Sequence, residues 1–199
     1  MTKILLAGVD EAGRGPLAGP VSAAAVILDP DNVPEGLADS KVITAARREE
    51  LYVEIMRSAL AVSVAFSSPD LIERLNIRGA TLDAMRRAVR GLSLRPTTVE
   101  IDGKDVPHGL NLPARAIIDG DALVPAISAA SIIAKVTRDR LMVKLAAEFP
   151  LYGFERHMGY GTAEHTRAID THGPCRHHRR TFGRLKAYIA GSADVPTTL

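Results

Sequence analysis

Residues 4–28 read "ILLAGVDEAGRGPLAGPVSAAAVIL". Two short apolar runs, "KILLAGVD" and "VSAAAVIL", flank a connection punctuated by Gly13, Gly15, Pro16, Gly19 and Pro20. Apolar runs of this length, bounded by glycine and proline, read as buried strands. Their closeness in sequence suits an antiparallel, hairpin-like pair. The first run ends on two adjacent carboxylates, Asp10 and Glu11. Successive side chains on a regular strand leave opposite faces. Both acids can serve one place only if the strand ends or kinks there, and Gly13 and Gly15 suit such a break.

The same reading extends outward. "TAARREELYVEIMRSA" has apolar residues at helical spacing, with Thr44 as its cap. "LAVSVAFS" (60–67) alternates and is a third strand. "SPDLIERLNIRGATLDAMRRAVRGL" reads as one or two helices starting at Pro69. "TTVEIDG" (97–103) is a strand ending on Asp102, and "ARAIIDGD" (114–121) a strand ending near Asp121. Residues 126–149 form the longest helical pattern, and "GTAEHTRAIDTHG" a further helix between Thr162 and Gly173. Strands interleaved with helices give class α/β, a mixed sheet flanked by helices. We expect one domain over residues 1–190, with 150–190 as a helical appendage and 191–199 as a flexible tail.

Composition narrows the class. Length is 199 residues with 46% hydrophobic, enough for one sizeable core, and with no Trp and only 4 Phe and 4 Tyr that core is aliphatic. The single cysteine, Cys175, excludes an internal disulfide and any CxxC zinc pattern. The opening is too short in apolar residues for a signal peptide, and no run approaches membrane-spanning length, so a reduced, cytoplasmic setting is expected. A net charge of +2 is no nucleic-acid footprint by itself. The distribution says more: Arg176, Arg179, Arg180, Arg184 and Lys186 follow one another with no acid between.

Asp10, Asp102 and Asp121 each fall at or just past a strand end, where α/β sheets form sites. Taken singly, each is a solvated turn residue. Taken with Glu11, they make a carboxylate set that would repel itself unless a cation sat within it. Oxygen-rich sites suit Mg²⁺ or Mn²⁺, and paired ions of this kind serve phosphodiester cleavage. In "IDGD", Asp119 competes with Asp121; the latter lies beyond the glycine and is preferred.

These residues also carry a family pattern. "GVDEAGRGPLAGPV" resembles the opening of bacterial ribonuclease HII, and the resemblance continues through "LADSK" (37–41), "ATLDAMRRAV" (80–89), "EIDGK" (100–104), "GDALVPAISAASIIAKVTRDRLM" (120–142), "YGFERHMGYGTAEH" (152–165) and "HRRTFG" (178–183). It covers nearly the whole chain in order. The resemblance implies a ribonuclease H-like fold and an acidic set of Asp10, Glu11, Asp102 and Asp121 holding two Mg²⁺ or Mn²⁺ ions. It implies cleavage of RNA in RNA–DNA hybrids, and nicking of duplex DNA on the 5′ side of an embedded ribonucleotide, leaving a 3′-hydroxyl and a 5′-phosphate. By the same resemblance, the main chain of Gly13-Arg14-Gly15 meets the 2′-hydroxyl, and Tyr160 packs on the following sugar. Ser40 and Lys41 then lie near the nucleic-acid backbone. One departure removes a charge: Met158 stands where the family commonly has lysine.

Ser128 and Ser131 read equally as phosphate binders at a helix start and as small packing residues. Lys135 reads as a site neighbour or a snorkelling chain, and Asp139 as a structural acid supporting the site or as an ion-pair partner of a neighbouring arginine on an exposed face. His157, His165, His172, His177 and His178 lack zinc spacing and read as loop or helix-surface residues. The basic run, Arg179 and Arg180 included, is read as phosphate-contacting. The expected protein is a monomeric endoribonuclease acting on RNA–DNA hybrids. The rivals are a ribonuclease HIII and a non-catalytic nucleic-acid binder.

Overall fold

The computed structural model describes residues 4–37 and 43–190. Strands β1 (Leu6–Ala12), β2 (Val21–Ile27), β3 (Ala61–Ser67), β4 (Thr98–Asp102) and β5 (Ala114–Ile117) form one sheet in the order β3-β2-β1-β4-β5. The first three pair antiparallel; β4 joins β1, and β5 joins β4, in parallel. The helices are α1 (Ala45–Ser58), α2 (Pro69–Arg90), α3 (Gly120–Leu123), α4 (Pro125–Glu148), α5 (Phe154–His157), α6 (Ala163–His172) and α7 (Lys186–Ala190). The mixed five-stranded sheet with flanking helices is the expected class. Asp39, Ser40, Lys41 and the 191–199 tail lie outside the described residues.

The sheet is covered on both faces, which is why "VSAAAVI" is buried at every position instead of alternating. Ala23, Ala25 and Ile27 pack with Ala84, Met85 and Ala88 of α2. Ala24 and Val26 pack with Leu51 and Ile55 of α1 and with Ala129, Ile132 and Ile133 of α4. The α4–β1 contact is especially close. A Cβ built on Gly8 would lie 2.0 Å from the carbonyl carbon of Ala126, so backbone meets backbone there.

Local chemistry sets the helix ends. Thr44, Ser68 and Thr162 each accept from the amide three residues on, at 3.2, 3.3 and 3.2 Å. The question of one helix or two after Pro69 has a mixed answer. Asn76 breaks the helical dihedrals at φ 57°, ψ 171° and accepts from the Gly79 amide at 3.1 Å, capping the continuation. The run ending near Asp121 needs correction. β5 stops at Ile117, Asp119 turns in the left-handed region at φ 54°, and Asp121 belongs to α3.

Candidate active site

β1 lies at the centre of the sheet, between β2 and β4. Its parallel register with β4 runs to Val9 opposite Ile101, which sets Asp10 beside Asp102 one step further on. The strand does not end at the acids, as the sequence suggested. It continues to Ala12 along β2, with Asp10 opposite Ala24 and Glu11 opposite Ala23. Pairing with β4 stops first, and this opens an edge that both acids straddle. Glu11 borders a small cleft against Thr81, Leu82 and Met85 of α2, and Asp10 faces the other side, where Ser131 of α4 hydrogen-bonds it. Both still reach one cavity of about 260 Å³, bordered also by Asp102.

The electrostatics are those of crowded carboxylates. Burial, then repulsion from Glu11 and Asp102, holds the Asp10 carboxyl well above the usual range, against hydrogen bonds from Ser131 and the Glu11 amide. Burial also raises Glu11, opposed by the Arg14 guanidinium at 3.2 Å. Asp102 accepts from the Gly120 amide at 2.8 Å. That bond ties it to α3, whose next residue is the buried Asp121. Asp121 is not among the residues that line the cavity. Among the described residues, no group of three or more His, Cys, Asp or Glu side chains is gathered to metal-holding distances.

The same cavity is lined by Gly13, Arg14, Gly15, Ser131, Lys135 and Tyr160. Of the residues singled out from the sequence, the structure thus brings together Asp10, Glu11, Asp102, the Gly13–Gly15 loop and Tyr160. Tyr160 is 44% exposed, and a Cβ on Gly15 would sit 3.7 Å from its ring. Lys135 lines the cavity but pairs with Asp139 at 2.8 Å, so the partner of Asp139 is a lysine and not an arginine. The Met158 side chain packs against the cluster of Met142, Tyr152 and Phe154. Met158 therefore contributes no charge here and sits half in the core.

The histidines are a second correction. His157, His165 and His178 are buried. Their contacts define one hydrogen-bond order. The Cys175 amide donates to His178 Nδ1 at 3.0 Å, His178 Nε2 meets His165 Nε2 at 3.0 Å, and His165 Nδ1 meets the Tyr160 carbonyl at 2.9 Å. The Tyr160 carbonyl can only accept, so His165 Nδ1 carries a proton and its Nε2 accepts from His178. Both rings are neutral in this arrangement, and together they fix the backbone under Tyr160. Burial and the neighbouring His165 pull His178 down to about 3. A base lowered on folding contributes stability that is present above its unfolded value, ~6.5, and is lost as pH falls toward the folded one. Between pH 6.5 and 4 the wild type should lose more urea resistance than His178→Gln, by up to about 3 kcal/mol. Parallel pH profiles would remove His178 from that role.

The basic run is a third correction. Arg179 is 0% exposed, and its guanidinium donates to main-chain carbonyls, so it contacts no phosphate. Arg176 lies near Glu148 at 3.4 Å and over the Phe149 ring. Arg180 is exposed, and its amide donates to Glu73 at 2.8 Å. Sequence reasoning missed Arg138, which is 1% exposed. Its signal was its place on α4: seven residues after Ser131 and three after Lys135, it shares the face that looks toward the cavity.

The sequence model of the ribonuclease HII family matches residues 7–186. A ribonuclease HII of Xanthobacter autotrophicus is 55% identical over 194 residues, spanning 98% of this chain and 77% of that protein. One from Agrobacterium fabrum is 58% identical over 181 residues, spanning 91% and 83%. The crystal structure of ribonuclease H2 from Pyrococcus horikoshii shares the fold at a TM-score of 0.77 and 27% identity, over 92% of this chain and 96% of that one. With an acidic strand edge and a glycine-rich loop facing one cavity, and with relatives of this similarity over nearly its whole length, the chain belongs to the ribonuclease HII family and is an endoribonuclease.

Proposed function

We propose that this site hydrolyses RNA in RNA–DNA hybrids and nicks duplex DNA on the 5′ side of a single ribonucleotide, leaving a 3′-hydroxyl and a 5′-phosphate. The reading takes residues 1–190 as one domain that acts as a monomer. One observation carries it: the acids Asp10, Glu11 and Asp102 share a cavity with the main chain of Gly13–Gly15 and the ring of Tyr160. Chemistry and recognition therefore have a common wall.

The donor set fits hard divalent cations in kind. Carboxylate oxygens border the cavity, and their mutual repulsion is what a cation relieves. Asp10, Glu11, Asp102 and Asp121 would hold two Mg²⁺ or Mn²⁺ ions. Ions held there would supply activation of a water and stabilisation of the departing 3′-oxygen. The protein's part is orientation. Ser131 and the Glu11 amide steady Asp10, the Gly120 amide steadies Asp102, and Arg14 steadies Glu11. The loop offers main-chain donors to a 2′-hydroxyl, the group that separates RNA from DNA. Tyr160 offers a ring face to the next sugar.

The test compares three labelled duplexes: one with a single ribonucleotide, one RNA–DNA hybrid and one all-DNA. Mg²⁺-dependent cutting of the first two, with the third intact, is expected. Cutting that persists in EDTA, or cutting of the all-DNA duplex, refutes the reading. In the same assay Tyr160→Ala should lower single-ribonucleotide nicking by about tenfold or more. Arg180→Ala should give a smaller loss that shrinks as salt rises. Equal losses would remove Tyr160 from junction recognition.

A further inference from the structure

Two buried arginines meet under the loop that follows β1. Arg179 donates from Nε to the Gly19 carbonyl at 2.9 Å, from Nη1 to Arg14 at 2.8 Å and from Nη2 to Gly13 at 2.5 Å. Arg138 donates from Nε to Pro20 at 3.0 Å, from Nη1 to Met158 at 3.0 Å and from Nη2 to Ala18 at 3.1 Å. Six carbonyls are answered, five of them from residues 13–20. Neither guanidinium pairs with a carboxylate among the described residues. Taking two guanidinium charges out of water without a carboxylate partner is expensive, so a buried pair of this kind calls for a reason.

Peptide geometry supplies one. No described peptide is cis, so each carbonyl points opposite to the N–H of the same peptide unit. The Gly13 carbonyl shares its unit with the Arg14 N–H, and the Arg14 carbonyl shares its unit with the Gly15 N–H. Arg179 holds both carbonyls inward. Both N–H groups are thereby turned outward, on the side where Gly13, Arg14 and Gly15 line the cavity. Neither amide donates to a protein acceptor among the described residues. A cation on the carbonyl oxygen also polarises the peptide and makes its N–H a stronger donor. Gly13 is required for this arrangement: its φ is +90°, and a Cβ there would fall 2.0 Å from Arg138 Nε.

We infer that Arg179, braced by Arg138, is a positioning residue for substrate selection: it presents the Arg14 and Gly15 amides as a paired donor for the 2′-hydroxyl oxygen of the ribonucleotide. The inference rests on the proposed reading of the site and assigns the selectivity to a buried cation that never touches substrate. The neighbouring Phe182 ring lies 5.1 Å from the Arg179 guanidinium and closes its remaining side. Burial and the Arg138 charge pull Arg179 down to about 9, so it remains protonated at neutral pH.

The experiment measures anisotropy of a fluorescein-labelled duplex with one ribonucleotide and of the same all-DNA duplex, in EDTA, with full-length protein. Wild type should prefer the ribonucleotide duplex by about tenfold, the worth of two hydrogen bonds. Arg179→Lys keeps the charge and loses the fork. Its preference should fall below about twofold while affinity for the all-DNA duplex is unchanged. Loss of overall fold alone would lower both affinities together. No preference in wild type overturns the reading of the site and this inference with it. A wild-type preference that persists in folded Arg179→Lys overturns the inference alone. Should Arg179→Lys not fold, wild-type ¹⁵N relaxation decides. The Arg14 and Gly15 amides should be as rigid as the strands, with order parameters near ~0.85, and values below ~0.6 overturn the inference.

Discussion

Asp10→Asn should abolish cleavage, lowering kcat by about a thousandfold or more, while affinity for an RNA–DNA hybrid survives within about threefold. Asp10 is the most buried of the three acids at the cavity, and it receives the Ser131 hydroxyl and the Glu11 amide. Asparagine fills the same space but brings a neutral oxygen in place of a charged one, so a hard cation held there would lose an anionic donor. On the proposed reading, binding of hybrid rests on other groups: the loop amides, Tyr160 and surface cations. The same change removes one charge from a set that repels itself. In EDTA the variant should therefore melt no lower than wild type, and higher if repulsion dominates. Activity retained in Mg²⁺ would remove Asp10 from the metal site. A lower melting temperature in EDTA would show that its hydrogen bonds outweigh the repulsion.

The second large effect concerns stability. Gly8→Ala should destabilise the protein by about 3 kcal/mol or more, read from the urea midpoint. The added Cβ would lie 2.0 Å from the Ala126 carbonyl carbon, 2.3 Å from its oxygen and 2.3 Å from the Ile127 nitrogen. These are backbone atoms of α4 and cannot rotate aside. Relief requires the helix to move off β1, which opens voids around Ala129, Ile132 and Ile133. The displacement also carries Ser131 away from Asp10, so surviving folded protein should be less active per molecule. A midpoint within about 0.5 kcal/mol of wild type would mean that the helix–strand contact is more compliant than its packing implies.

Much of this was legible in the sequence, and the reason differs by element. The strands and long helices announced themselves by apolar period and by caps such as Thr44 and Thr162. The acids were found because carboxylates at strand ends are chemically conspicuous. How Asp10 and Glu11 share one cavity was not legible. The sequence suggested a broken strand, whereas the strand runs on and loses one neighbour. That is a property of β4's length, written ninety residues away. Arg179 was misread for a related reason. A run of basic residues looks like a charged surface until the fold shows which one turns inward. The buried histidines followed the same pattern, because neutral imidazoles that satisfy one another leave no local trace.

The loop from Gly13 to Pro20 contains little that closes on itself. Its carbonyls are answered by residues 138 and 179, its Leu17 and Gly19 amides by the carbonyls of Gly159 and His177, and Ala18 bridges to His178. The segment that carries Gly13 thus takes its shape from a side chain 166 residues further along. On the proposed reading, a chain cut between Asp121 and Arg179 would keep all four acids and lose the residue that sets its reader.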